Sequence, residues 1–353
     1  MSSTIIVAAE KIIDGQGNMS SVNRLQQQIQ AQGVSVQTLV IDPLSAGWDT
    51  PLMDNHFRSG CGPIDALKQA KGLIGEGLSD AVLISGDEPL KTGYSKEQRL
   101  QLMAVYGAGY PLTMAYDELA GRFIDKQKMS QELFIQCRDD LFENYLCTYA
   151  LDPANNRALP DARWYDLLTP RFRGVDCANP LIDFQGRVLL VSDKLANELA
   201  VPNAQQVELA GVEVQRTQGD GEQYLDDISD FNHLKQAYEG CCQQAKIDFV
   251  SLFKDRKALL EVYSCYPVVP MAFMLASGLI NSLKELPELL KQYPVTVTGG
   301  MNLARAPWNN PALNGLISLY QQLPRRKLRV ALLHGNGGLG YRQGVALLKY
   351  KAP

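Results

Sequence analysis

Over most of its length the chain alternates between strand-like and helix-like hydrophobic periods, and this alternation limits the folds open to it. Near the start, "TIIVAA" (4–9) is a β-branched apolar run, 21–32 is polar and helix-like, and "VSVQTLVI" (34–41) is a second strand. "IDALKQAKGLIGEG" (64–77) places its apolar residues on one helical face, and "DAVLISG" (80–86) is apolar enough to be covered on both sides. The second half repeats the scheme. A strand at 206–215 precedes a helix at about 229–245, and "ALLEVY" (258–263) is followed by an apolar helix at 270–280. "PVTVT" (294–298) reads as a short strand, followed by the loop "TGGMNLARAPWNNP" (298–311) and a helix at 310–322. "LRVALL" (328–333), a glycine loop and "GVALLKY" (344–350) close the chain. Such βα alternation predicts an α/β fold with buried sheets, and two similar halves suggest duplication.

Residues 91–172 break the pattern. They are helix-rich, aromatic and charged ("SKEQRLQLMAVYG", "PLTMAYDELAGRF", "SQELFIQCRDDLFENYL"), and read as a cap inserted into the first half. The strand pattern returns at "GRVLLVS" (186–192). A loop of about 20 residues before "SGCGP" (59–63) is the longest connection within the first units.

Composition excludes several partners. The 353 residues carry a formal charge of −4, so no basic face is available to hold a nucleic-acid backbone. The first residues lack a basic segment ahead of their apolar run, which argues for a strand and not a signal peptide. The uncharged run "VYSCYPVVPMAFMLASGLI" (262–280) is long enough to suggest a membrane span, but Pro267 and Pro270 divide it, and a loop followed by a buried helix fits better. Seven cysteines without a C-x-x-C pair point to a reducing compartment, and a cytoplasmic location is expected. The three histidines, His56, His233 and His334, form no metal-ligand spacing, and no metal is expected.

Four segments, in order, resemble the thiolase family. "GCGPIDALKQAKGLIGEGLSDAVLISGDEP" (60–89) is similar to the helix that carries the family's nucleophilic cysteine and to the strand after it. "DCANPLIDFQGRVLLVSDKLANEL" (176–199) resembles the segment that ends the first half. "LLEVYSCYPV" (259–268) lies at the place of the Asn-Glu-Ala-Phe loop. "TGGMNLARAPWNNP" and "LLHGNGGLGYRQGVALL" (332–348) resemble the Gly-His-Pro loop and the Cys-x-Gly-Gly-Gly loop. The resemblance implies duplicated βα halves in an α/β/α/β/α arrangement, 1–203 and 204–353, with the helical cap at about 91–172. It also implies an acyl-CoA or acyl-carrier thioester as substrate or ligand, no other cofactor, and a homodimer paired near the cysteine loop.

The residues at the family's catalytic positions depart from its pattern. The nucleophile position falls on Gly60, with Cys61 one residue later; the asparagine position is Tyr263, the histidine position Ala306, and the second cysteine position Gly335, beside His334. Cys61 precedes Pro63 at a helix start, where unpaired N–H groups favour a thiolate, and a Cys61–His334 pair would suffice for acyl transfer. The alternatives are a loop cysteine at a dimer contact and a histidine bonded to backbone. "GNGGLG" (335–340) precedes a strand and not a helix, so it is no dinucleotide fingerprint. Its Gly337 N–H is a candidate oxyanion donor. Cys265 reads as a packing residue, and Asn309 and Asn310 as a helix cap. Cys61, Tyr263, Ala306, His334 and Gly337 are expected to converge on one cavity.

Three readings of function follow. The chain is an acyltransferase or thioesterase-like enzyme using Cys61 and His334, a degenerate member that binds an acyl-CoA or a partner without catalysis, or a structural subunit whose pocket is filled by Tyr263, Arg305 and Trp308. In each, thiolysis of acetoacetyl-CoA is expected to be absent or very slow, because Ala306 accepts no proton and an imidazole base contributes ~10²–10⁴-fold. A spectrophotometric thiolysis assay checks this; robust turnover that is lost on Cys61→Ala would contradict it.

Overall fold

The computed structural model describes residues 2–45, 52–152, 155 and 157–351. Among the described residues there are ten strands; nine form one hydrogen-bonded path, and the short second strand pairs with the first, off that path. They are β1 (Thr4–Ile13), β2 (Gln16–Gly17), β3 (Gln37–Ile41), β4 (His56–Phe57), β5 (Ala81–Pro89), β6 (Asp183–Ser192), β7 (Val207–Arg216), β8 (Ala258–Glu261), β9 (Val330–Gly337) and β10 (Arg342–Tyr350). The order β4-β3-β5-β6-β1-β7-β10-β9-β8 repeats on either side of the β1–β7 junction. β3 is parallel to β5 as β8 is to β9, and antiparallel steps lead from there to β1 and to β7. Among the described residues, strand pairing joins the two sides through Ile5↔Glu208 and Ile6↔Val207.

Two helices lie between the two sides, Gly62–Gly75 and Pro311–Arg325. One apolar cluster takes Ile64, Leu67 and Ala70 from the first, Leu313, Leu316 and Ile317 from the second, and inward residues of strands from both halves, such as Val82, Leu190, Leu333 and Ala346. Helix Ser20–Ala31 covers the outer face of the first side through Val22, Leu25 and Ile29. Helix Asn232–Ala245, the apolar helix Val268–Ala276 and the cap cover the outer face of the second. The result is an α/β/α/β/α stack.

Paired glycines let the central helices approach the sheet. Gly86 on β5 faces Gly186 on β6, and Gly335 on β9 faces Gly344 on β10. A Cβ on Gly86 would overlap Asn310 and press on Leu313; one on Gly344 would sit 2.8 Å from Cys61 Sγ and from Ile64. Each helix therefore starts over the glycine pair of the opposite half. Cys61 and Asn310 are both N-cap residues, and Ile64 and Leu313 both stand three positions later. The repeat resides in these small residues, which explains why the two halves show little sequence identity.

Several expected elements change. "PVTVT" forms no strand: the Val297 and Thr298 N–H groups donate to the Glu261 carboxylate, and the Val295 N–H donates to Asn144 Oδ1. With these donors bound by side chains, no neighbouring strand is required. The expected "glycine loop" is largely strand, since β9 runs through Gly337. The expected helix at 229–245 is two, Leu225–Ser229 and Asn232–Ala245, separated at Phe231 with φ 50°. The cap contains helices Lys96–Met103, Leu112–Gln127 and Gln131–Leu151. Part of the long loop ahead of "SGCGP", residues 46–51, lies outside the described residues. Among the described residues no helix is long and apolar enough to cross a membrane.

Gly344→Ala and Gly86→Ala are each expected to destabilise the protein by ~1–3 kcal/mol, the usual cost of overpacking a rigid contact. Urea unfolding midpoints check this, and an unchanged midpoint for both would contradict the helix seating.

Candidate functional site

The site lies where the starts of the two central helices meet loops from both halves and the cap. An apolar cavity of about 220 Å³ opens there. Its inner wall includes Gly60, Tyr116, Tyr263, Cys265, Tyr266 and Asn336, all buried; Met103, Leu112, Pro180 and Trp308 are partly exposed and form its mouth. The cap supplies Tyr116, whose ring stacks on that of Tyr266, in the loop before helix Val268–Ala276, at 4.1 Å between centroids.

Tyr263 occupies the space that a side chain at position 60 would need. A Cβ added to Gly60 would overlap the Tyr263 hydroxyl oxygen and lie 2.5 Å from the Asn336 carbonyl oxygen. Burial pushes the Tyr263 phenol well above its ordinary range, so it stays protonated and can only donate or weakly accept. Ala306 and Pro307 line the same cavity, so the position expected to hold a base offers a methyl group.

The polar groups at the cavity are neutral and tied together. The Tyr116 hydroxyl donates to the Gly338 carbonyl at 2.6 Å and accepts from Asn336 Nδ2 at 3.1 Å and from the Cys265 thiol at 3.4 Å. Gln343 Nε2 donates to Asn336 Oδ1 at 2.6 Å, and Gln343 Oε1 lies 2.7 Å from His334 Nε2. The Tyr263 N–H points to His334 Nδ1 at 3.4 Å, which leaves the imidazole proton on Nε2, donated to Gln343. Burial drives the His334 pKa down to about 4 and raises the Cys265 thiol to about 12.

Tyr263, Cys265 and Ala306 thus line one cavity, while Cys61, His334 and Gly337 do not. The expected Cys61–His334 pair is not formed, because strands alternate their faces. Gly335, Gly337 and Gly344 turn toward Cys61 and helix Gly62–Gly75, whereas His334 packs on the other face against Phe273 and Tyr263. The sheet itself separates thiol from imidazole. Cys61 is fully buried, and burial followed by the nearby Asp65 raises its thiol pKa, opposite to the lowering expected at a helix start. Gly337, the expected oxyanion donor, does not line the cavity, although its neighbour Gly338 does; a Cβ on Gly337 would face Ser59 and Cys61.

Other expectations shift as well. Asn310 does not cap its helix with its side chain; its Nδ2 donates to Glu88 at 3.0 Å, while the Asn309 N–H meets both Glu88 oxygens at 3.0 Å. Asn309 also reaches the Ser59 N–H and the Asp42 carbonyl at 3.0 Å, so this knot fastens the loop before one helix to the loop before the other. Burial raises the Glu88 pKa to about 7 against the pull of these donors. Arg305 does not fill the apolar cavity but points to another. Tyr116 and Asn336 are cavity residues that sequence reasoning missed. Only the glycine-rich context of Asn336 hinted at a site.

No family model matches the sequence, and no curated protein matches it either. Solved structures do match over the whole chain. A monomeric SCP2-thiolase-like protein type 1 from Mycobacterium smegmatis aligns with a TM-score of 0.73 at 15% identity, over 99% of this chain and 78% of that one. The fold is thiolase-like. Human mitochondrial 3-ketoacyl-CoA thiolase aligns at TM-score 0.66 and 14% identity, over 99% of both chains. Bacillus anthracis acetyl-CoA acetyltransferase aligns at TM-score 0.64 and 14% identity, again over 99% of both. At these identities the likeness establishes the thiolase-like fold; what the site does rests on its own residues.

Two measurements check this geometry. Gly60→Ala is expected to cost ~1–3 kcal/mol in wild type and markedly less in a Tyr263→Ala background, a coupling read from a double-mutant cycle. Additive effects would contradict the contact. In native alkylation with iodoacetamide, the exposed Cys147 is expected to react first and the buried Cys61 among the last. Rapid labelling of Cys61 would contradict its placement.

Proposed function

We propose that this protein binds the acyl end of a CoA or carrier-protein thioester in the apolar cavity without performing thiolase chemistry. The observation that carries the reading is the Tyr263 hydroxyl seated against Gly60, where a nucleophile's side chain would otherwise stand. The cavity holds no base: no imidazole lines it, and its one thiol, that of Cys265, is held protonated. What it offers a ligand is an apolar wall and a neutral O–H donor. The Tyr263 hydroxyl has no hydrogen bond to a protein group among the described residues, and a thioester carbonyl in the cavity would accept one from it. The volume of about 220 Å³ suits a short acyl group and the adjoining atoms of its carrier. The acyltransferase reading using Cys61 and His334 has no comparable support, since the sheet stands between the two side chains.

The division into halves at about 203/204 belongs to the same reading and is supported by the mirrored strand order. A homodimer is also part of it, with the two-residue edge strand β4 near the contact.

Calorimetric titration with butyryl-CoA tests the ligand. Binding is expected to be tighter than that of CoA itself, to weaken roughly fivefold to tenfold in Tyr263→Phe through loss of one hydrogen bond, and to disappear when Ala306→Trp fills the cavity. Equal binding of CoA and butyryl-CoA, or unchanged binding in Ala306→Trp, would overturn the proposal.

A further inference from the structure

We propose that a second, polar cavity binds a phosphoryl group, with Arg157 and Arg305 as its cationic contacts. This cavity has a volume of about 120 Å³ and includes Arg157, Asp161, Trp164, Asn179, Asn302 and Arg305 in its lining. It shares a wall with the apolar cavity. Ala178 and Pro180 line one side and Asn179 the other; Met301 and Ala306 line one side, and Asn302 and Arg305 the other. The two wall segments are held together by the Asn179 N–H to Met301 carbonyl bond at 3.1 Å and the Ala306 N–H to Asn179 carbonyl bond at 3.2 Å. The proposal does not depend on what the apolar cavity binds.

The charge balance points to an anion. Arg305 makes no ion pair among the described residues; its Nη1 donates to the Leu181 carbonyl at 2.9 Å, which leaves the rest of its planar fork unused. Arg157 shares Asp14 with Lys91: its Nη2 lies 2.9 Å from Asp14, and Lys91 Nζ lies 3.8 Å from the same carboxylate. Among the described residues Asp161 is the one carboxylate lining the cavity, and it forms an exposed pair with Arg163 at 3.2 Å. Two guanidinium groups near enough to repel each other thus meet at one cavity, where the half-buried Asp14 carboxylate is shared among Arg157, Lys91 and the field at Arg305, and cations outnumber the carboxylates. Burial and the neighbouring Arg157 disfavour the charged form of Arg305 more than the Asp14 carboxylate favours it, and a bound anion would relieve this.

Arg305 is held at φ 59°, a left-handed conformation that is costly for a residue with a long side chain. Lys128, Lys246, Arg256 and Lys327 share this conformation at turns, so what sets Arg305 apart is the cavity that its side chain lines. A dianionic phosphoryl group matches two guanidinium forks in charge and in hydrogen-bonding geometry, and the volume admits that group with only a few further atoms. A nucleotide is too large. The group is either free phosphate or the terminal phosphate of a small ester.

The test is calorimetric and thermal titration of the purified full chain with inorganic phosphate, glycerol 3-phosphate and malonate, at constant ionic strength maintained with chloride. Phosphate or glycerol 3-phosphate is expected to raise the unfolding temperature and to bind at least tenfold more weakly to Arg305→Gly. That variant relieves the backbone strain and should keep its far-UV circular dichroism. Arg305→Lys is expected to retain part of the binding, and Arg157→Gln serves as a second variant if the glycine substitution perturbs the loop. A response to inorganic phosphate alone assigns the site to the free ion; a stronger response to glycerol 3-phosphate assigns it to an ester. No response to either, equal binding to Arg305→Gly and Arg157→Gln, or equal binding of malonate would overturn the proposal.

Discussion

Two pairs of facing glycines set the geometry of this molecule. Gly86 with Gly186, and Gly335 with Gly344, leave room on the inner faces of the sheet for the first turns of two helices. Each helix comes from one half and rests on the glycine pair of the other, so the halves interlock. The clearances leave little slack: the atoms that would meet a new Cβ on Gly86 or Gly344 are those of Cys61, Ile64, Asn310 and Leu313, all buried in the common core. The Glu88 carboxylate then fixes the relative position of the two helix starts through Asn309 and Asn310.

This seating assigns Cys61 its role. It is the counterpart of Asn310, an N-cap residue whose side chain lies over a glycine pair, and its sulfur faces Gly344 within the core. The space where catalytic groups would meet is on the other face of β9 and β10. There the Tyr263 hydroxyl abuts Gly60, and a hydrogen-bonded series from His334 through Gln343, Asn336 and Tyr116 ends at the Cys265 thiol. Each member has its donors and acceptors bound to its neighbours, which suits a rigid, neutral wall. Proton transfer would need a group poised near neutral pH, and burial moves both His334 and Cys265 away from it.

Much of the fold was legible in the sequence because its signals are local. Apolar runs such as "DAVLISG", the one-sided helix after Pro63 and the aromatic, charged cap each report their environment in a short window. The loop frame around Ala306 was legible for the same reason, since its glycines and proline constrain the backbone directly. What escaped were contacts set by strand parity and by side chains reaching across the chain. "PVTVT" has strand composition, yet Glu261 and Asn144 take its N–H groups. His334 and Gly335 are neighbours in sequence but lie on opposite faces of β9, so a shift of one residue decides whether a group meets Cys61 or packs against Phe273 and Tyr263. Tyr116 comes from the cap, more than a hundred residues from the loops it joins, and no local pattern marks it.

The central claim is that the cavity holds an acyl thioester while no side chain can take its acyl group. Intact-mass spectrometry after incubation with excess acetyl-CoA or butyryl-CoA, quenched in acid, tests it most directly. The account predicts an unmodified chain at every time point under conditions in which calorimetry shows the ligand bound. A mass increase of one acyl group, mapped to Cys61 or Cys265 and lost on its substitution by alanine, would contradict it.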